Sequence, residues 1–373
     1  RNSGQRGSAI MNKIQITKRS DLPRNRAILI RTAAVLLSLV CAGLVMMAFH
    51  LDPVKIYAEI VKGSFGTEMR IKQTIIKAVP LVITSLGILV AFKMKFWNIG
   101  AEGQIVMGAM AASFVALHYG EIPRPILLLL MVIASMAAGG LWAFIPAFFK
   151  AKMGTNETIF TLMMNYIAIK FVTYLQYGPW KDPGAQGFPR IAKFGDNAVL
   201  PNLFGVHAGW LIALVLVALI YVFMNHTKKG YEITVVGESL ETARYAGMNI
   251  KSIILTAMLI SGGICGLTGM IQSSAIERTL TAGISAGYGF TAIITAWLAR
   301  LNAIAVLVVC ILFAMLIQGG AYLQIAMNVP ESVASLVQGS VLFFVLGSDF
   351  FIQYKVSLSG LFSRKETSER KVA

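Results

Sequence analysis

Charge is what this 373-residue chain has least of: Asp, Glu, Lys and Arg make up 13% of it, apolar residues 56%, and its mean hydropathy is +0.70. Cysteine is nearly absent. Cys41, Cys265 and Cys310 stand alone inside apolar runs, which excludes a disulfide framework and a thiolate zinc site and leaves ordinary packing. His50, His118, His207 and His226 are scattered, without an HExxH pair or neighbouring carboxylates, so no metal centre is expected. No GxxxxGKS or GxxxxGKT loop occurs, and the glycine-rich "ISGGICG" at 260–266 is apolar and lies inside a hydrophobic run. The chain therefore does not hydrolyse ATP alone. A GxSxG elbow and a well-placed set of serine, histidine and acid are missing too, which disfavours a membrane enzyme.

What is there is one hydrophobic run after another. Several approach the ~20 residues that cross a bilayer core, and this makes the chain an all-α polytopic membrane protein. Hydropathy places about ten transmembrane helices, at 27–49, 71–92, 103–119, 125–149, 157–176, 208–225, 251–272, 286–299, 303–323 and 332–352. Residues 1–10, "RNSGQRGSAI", read as a leader or tag remnant, 11–26 as a tail, 27–352 as the membrane domain and 353–373 as a second tail. The first run follows Arg24, Arg26 and Arg31, exceeds a signal-peptide core and has no convincing cleavage pattern, so it reads as a retained anchor.

A net charge of +16 would suggest nucleic acid in a soluble protein, but basic loops that fix membrane orientation account for it here, so lipid and not nucleic acid is the expected partner. An even number of crossings puts both tails on one side, with Lys93, Lys95, Lys150, Lys152, the stretch 226–251 and Arg300. That side holds the larger share of the 33 Lys and Arg, so both termini are expected in the cytoplasm.

Two connections exceed simple turns. The outer one, 177–207, contains "GPWKDPGAQGFPR" and is expected to form an ordered or semi-ordered external cap. The inner one, 225–251, has helix-forming residues after a Gly-Glu-Ser start, with Leu240, Ala243 and Gly247 on one face and Glu238, Glu241 and Arg244 elsewhere. This predicts a short amphipathic helix at the cytoplasmic surface, a docking handle for machinery on another chain.

The stretch "FWNIGAEGQIVMGAMAA" and the later "TAGISAGYGFTAIITAW" both set a glycine-rich, aromatic-bearing break ahead of a small-residue helix. Five spans separate them, so the pattern predicts an inverted 5+5 repeat with broken helices. An ionisable residue at bilayer depth costs several kcal/mol unless it faces a cavity or a partner, which makes Glu102 a candidate site residue together with Asn98 and Gln104. Phe96 and Trp97 add flat apolar faces beside these amides. Glu157 and Asn165 lie two turns apart on one helical face that also carries Thr161, and can look into the same cavity. Gly262 and Gly266 form a GxxxG close-packing signal.

Taken together, "FWNIGAEGQIVMGAMAASF", "NETIFTLMMNYIA", "GESLETARYAGMN" and "GYGFTAIITAWLARLNAIAV" resemble the permease subunits of bacterial ABC importers for nucleosides, in the wider group that serves ribose and related sugars. The resemblance implies a type II importer-like fold in the bacterial plasma membrane. It also implies partners: a second homologous permease, an ATPase subunit carrying two nucleotide-binding domains, and an extracytoplasmic lipoprotein receptor. ATP and Mg would be used by that ATPase, with no cofactor in this chain. Glu241, Ala243 and Gly247 are similar to an EAA-type coupling signature from which Thr242 departs, and the segment from Glu238 through Arg244 would move with the ATPase. In this picture Glu102 accepts from ribose hydroxyls or base N–H groups, Asn98 and Gln104 read polar edges, and Phe96, Trp97 or Tyr288 stacks on a base. A ribose or simple-sugar permease is the alternative, and an ion-coupled secondary transporter a more distant one.

Overall fold

A computed structural model describes residues 15–18, 24–330 and 332–357. The expected leader at 1–10 and most of the C-terminal tail lie outside them. By contacts the chain divides into two units, one formed by residues 1–58 and 329–373, the other by 59–328.

In the first unit, helix α1 (Arg24–Ala48) packs on a helix near the chain's end, Ser332–Gln353. Strand β1 (Gln15–Lys18) pairs antiparallel with Tyr354–Ser357, Gln15 opposite Ser357 and Lys18 opposite Tyr354. The two tails are thereby held together at one end of this unit.

Helix α2 (Pro53–Phe65) begins in the first unit and ends in the second. There follow α3 (Glu68–Lys93), α4 (Ala101–His118), α5 (Arg124–Met153), α6 (Glu157–Tyr177), the two-residue strands β2 (Asn202–Leu203) and β3 (Val206–His207), α7 (Gly209–His226), α8 (Lys228–Glu238), α9 (Leu240–Tyr245), α10 (Ile250–Ile271), α11 (Tyr288–Leu298) and α12 (Ala303–Met327). The first unit supplies α13 (Ser332–Gln353) and β4 (Tyr354–Ser357). Each expected span thus coincides with a helix. Among the described residues, six helices are long and apolar enough to cross a membrane, or seven if the bent pair Thr32–Ala48 and Pro53–Phe65 counts as one span.

The eighth expected crossing, 286–299, needs correction. Helix α11 has 11 residues, about 16 Å at 1.5 Å per residue, roughly half of a ~30 Å hydrocarbon core. Glycine-rich sequence before it fixes where the helix starts, so the apolar run is longer than the helix it contains.

Helix α3 is the axis of the second unit. Thr67 caps it by accepting from the Arg70 amide at 3.3 Å, Glu68 and Lys93 complement its dipole, and nearly every side chain from Ala78 to Phe92 is buried. Helices α7, α10, α11 and α12 pack around it. Apolar burial against lipid-like surroundings provides little drive between helices, so close approach has to come from small residues. Helix α10 supplies them. Gly266 backs onto Gly108 of α4 and Gly139 of α5, and Gly269 onto the backbone of Ile105, so closely that a Cβ at these positions would overlap its neighbour. The expected GxxxG contact is part of this seam.

The long connection between α6 and α7 is ordered. Arg124 donates to the Val199 carbonyl through Nε (3.0 Å) and Nη2 (2.6 Å), Ser274 Oγ donates to Ala198 (2.6 Å), and Ile191, Phe194 and Leu200 are buried.

Candidate functional site

At the end of α3, Met94 turns the chain, Lys95 adopts a left-handed φ of 59°, and the Phe96 amide reaches back to Ala91 at 3.2 Å. Residues 94–100 then run as a non-helical break to the start of α4. Asn98 makes a reciprocal amide pair with Gln104: Asn98 Nδ2 donates to Gln104 Oε1 at 3.2 Å and Gln104 Nε2 donates to Asn98 Oδ1 at 3.0 Å. Asn98 also donates to Ser261 Oγ at 3.3 Å. Ser261 lies near the midpoint of α10, so the break, whose Lys95 and Trp97 are exposed, carries Asn98 back into the helical bundle.

Helix α6 holds the same break from the other side. Asn165 Nδ2 donates to the Ile99 carbonyl (2.9 Å), its Oδ1 accepts from the Gly103 amide (2.8 Å), and Thr161 Oγ1 accepts from Ile99 (3.2 Å).

Glu102 meets the second break. Its Oε1 accepts the amide of Gly287 at 2.9 Å and its Oε2 that of Gly289 at 2.7 Å, at the N-terminus of α11. Burying a carboxylate to 4% exposure costs several kcal/mol. Two charge-assisted bonds at roughly 1.5–3 kcal/mol each, with the positive end of α11, are of the same size and offset it. Tyr288, the first residue of α11, is buried beside this contact.

Trp97 points elsewhere. It is 45% exposed, stacks on Trp297 with centroids 5.5 Å apart, and leans on Phe92 at 5.4 Å. Phe96, in contrast, is buried.

Glu157 is separate from the Asn98 cluster. Its Oε2 pairs with Lys150 Nζ at 2.7 Å, and both line a cleft of ≈ 380 Å³ with Phe96, Glu238 and Glu241. Of the three residues on this face of α6, Thr161 and Asn165 hold the break, whereas Glu157 pairs with Lys150 from the end of α5.

The expected handle is two helices. Thr227 caps α8, and Ser239 caps α9 by accepting from Thr242 at 3.2 Å. Ala243 is fully buried, Glu238, Glu241 and Arg244 are exposed, and Gly247 closes α9 with φ of 70° while Met248 donates to the Ala243 carbonyl at 3.0 Å. The handle is seated on α3: Gly237 lies so close to the Lys93 carbonyl that a Cβ would overlap it.

Three features escaped the sequence reading. Lys150 as partner of Glu157 and Ser261 as partner of Asn98 carried no local signal. The third is the π-turn Gln272–Glu277 that ends α10, where Gln272 Nε2 donates to Ile284 at 3.2 Å. Its signal was the cluster of polar residues closing an apolar run.

Helices broken at bundle depth, stitched by buried amides and a carboxylate, with an exposed helical handle at one end, define a multi-pass membrane permease. Residues 70–346 match the family described as "Branched-chain amino acid transport system / permease component", and the chain belongs to that family. It is 34% identical over 360 residues to a glucose ABC transporter permease protein of Haloferax volcanii, covering 93% of this chain and 94% of the relative. Two guanosine ABC transporter permease proteins of Bacillus subtilis are also similar. One is 31% identical over 86% of this chain and 93% of its own length, the other 28% identical over 59% and 72%.

Proposed function

We propose that this chain is the transmembrane permease subunit of an ATP-driven ABC importer and that, with a second homologous permease, it forms the path for nucleosides by alternating access. The observation that carries the reading is the similarity to a guanosine permease over 93% of that protein's length. That two permeases of one Bacillus are both similar to this chain supports a heterologous permease pair. An ATPase with two nucleotide-binding domains drives the cycle with its own ATP and Mg, and an extracytoplasmic lipoprotein receptor delivers the cargo. The membrane is the bacterial plasma membrane, with both tails in the cytoplasm.

The handle from Glu238 to Gly247, with Glu241, Ala243 and Arg244, docks on the ATPase. Its seat on Lys93 ties it to the break at 94–100, so movement of the handle reaches Asn98 and Gln104 through the backbone. Trp97 offers the partly exposed aromatic face on which a base stacks, while Asn98, Gln104, Asn165 and Glu102 frame the break behind it. Glu102 already fills the anion position at the half-helix end of α11, which suits an uncharged cargo.

Uptake of labelled guanosine into proteoliposomes holding the assembled complex tests the proposal. ATP-dependent, receptor-dependent accumulation is expected, and uptake driven by an ion gradient without ATP would overturn it. The Haloferax similarity favours a second reading, a sugar permease. Glucose displacing guanosine from transport would decide for it.

A further inference from the structure

Glu102 joins two segments 185 residues apart, and each segment leads to a different face of the molecule. Outward, the break at 278–287 is tied to the external connection: the Phe194 amide donates to the Arg278 carbonyl at 2.9 Å and Thr279 Oγ1 donates to Ile191 at 3.0 Å. Inward, the first turn of α4 is tied through Gln104 and Asn98 to the break at 94–100. Met94, Lys95 and Phe96 of that break line the same cleft as Glu238 and Glu241, and Gly237 rests on the Lys93 carbonyl. The carboxylate sits where the two routes meet.

We infer that Glu102 is the positioning residue that couples the external connection to the ATPase-facing helices: when the receptor side displaces α11, the carboxylate carries the start of α4 and its break along. This inference rests on the permease reading above. A contiguous chain of bonded groups with one acceptor at the joint provides the physical route. A carboxylate suits the joint because its two oxygens accept two amides at once. Glutamine would accept one and turn its own NH2 towards the other. The joint is also closed around Gly289, where a methyl group would fall on Oε2 and the backbone of Glu102.

The test uses the complete complex in proteoliposomes, with ATP hydrolysis measured with and without guanosine-loaded receptor, and the KM of guanosine uptake measured in parallel. In Glu102→Gln and in Gly289→Ala, the ratio of receptor-stimulated to basal hydrolysis is expected to fall roughly five-fold or more, with receptor binding retained. A preserved ratio in both variants overturns the inference. A raised KM with a preserved ratio also overturns it and assigns Glu102 to the cargo. If neither variant assembles, the carboxylate only holds the fold, and the coupling role is lost. Absence of ATP-driven uptake in the unmutated complex would instead remove the permease reading itself, before any variant is compared.

Discussion

Asn165 grips the beginning of α4 with both ends of its amide, accepting from Gly103 at 2.8 Å and donating to Ile99 at 2.9 Å. One side chain on α6 therefore satisfies two backbone groups that the break leaves without helical partners. Asn165→Leu keeps the branched shape and orphans both groups, at roughly 1–3 kcal/mol each. Thermal unfolding of the detergent-solubilised complex should show a clear loss of stability, and a melting curve matching that of the unmutated protein would contradict this account.

Gly247 has open space around its missing side chain but a φ of 70°. Its requirement is therefore backbone strain and not room. Gly247→Ala should cost about 1–2 kcal/mol at the end of α9, and Gly247→Asn less, since asparagine tolerates the left-handed region. Co-purification of the ATPase is expected to weaken in the order Gly, Asn, Ala. Equal retention by all three would show that this conformation does not matter for docking.

Trp97→Ala separates the two cargo readings. Loss of a base-stacking face costs ~1–3 kcal/mol, so KM for guanosine uptake should rise between about five-fold and a hundred-fold, with Trp97→Phe recovering much of it. A sugar has no π-face to stack, and an unchanged KM for guanosine would take Trp97 out of the path.

His207 introduces a dependence on pH. Burial holds its imidazole neutral and lowers its pKa from 6.5 to about 4, and Nδ1 accepts the Gly209 amide at 3.2 Å where α7 begins. Between these values the unfolded segment binds a proton that the folded one refuses. The anchoring is complete above pH 6.5 and declines as pH falls towards 4, by at most about 3 kcal/mol. Protease sensitivity of the connection at 177–207 should increase over that interval and become flat with pH in His207→Gln.

The helices were legible because a bilayer demands long apolar runs, and each run expected from hydropathy contains a helix. The exception, α11, shows what hydropathy omits: Gly287, with φ of 75°, sets the start of the helix inside an apolar run that composition reads as continuous. At the site, Asn98, Glu102 and Gln104 stood out because polar groups are expensive in such surroundings. Their pairings did not, since Ser261, Gly287 and Gly289 lie far along the chain and no periodicity links them to the first break. The partner of Glu157 was not legible because helical spacing describes one helix, whereas Lys150 comes from another.

The glycine seam where α4, α5 and α10 meet leaves backbone lying directly against backbone. Without side chains to reshuffle between them, these helices have no second way of interlocking, and sliding one against another would open gaps or drive carbonyls together. The three must travel as a single slab. Any reshaping of this unit is thus left to the breaks and the short helix α11, and a stripe of missing methyl groups becomes its stiffest part.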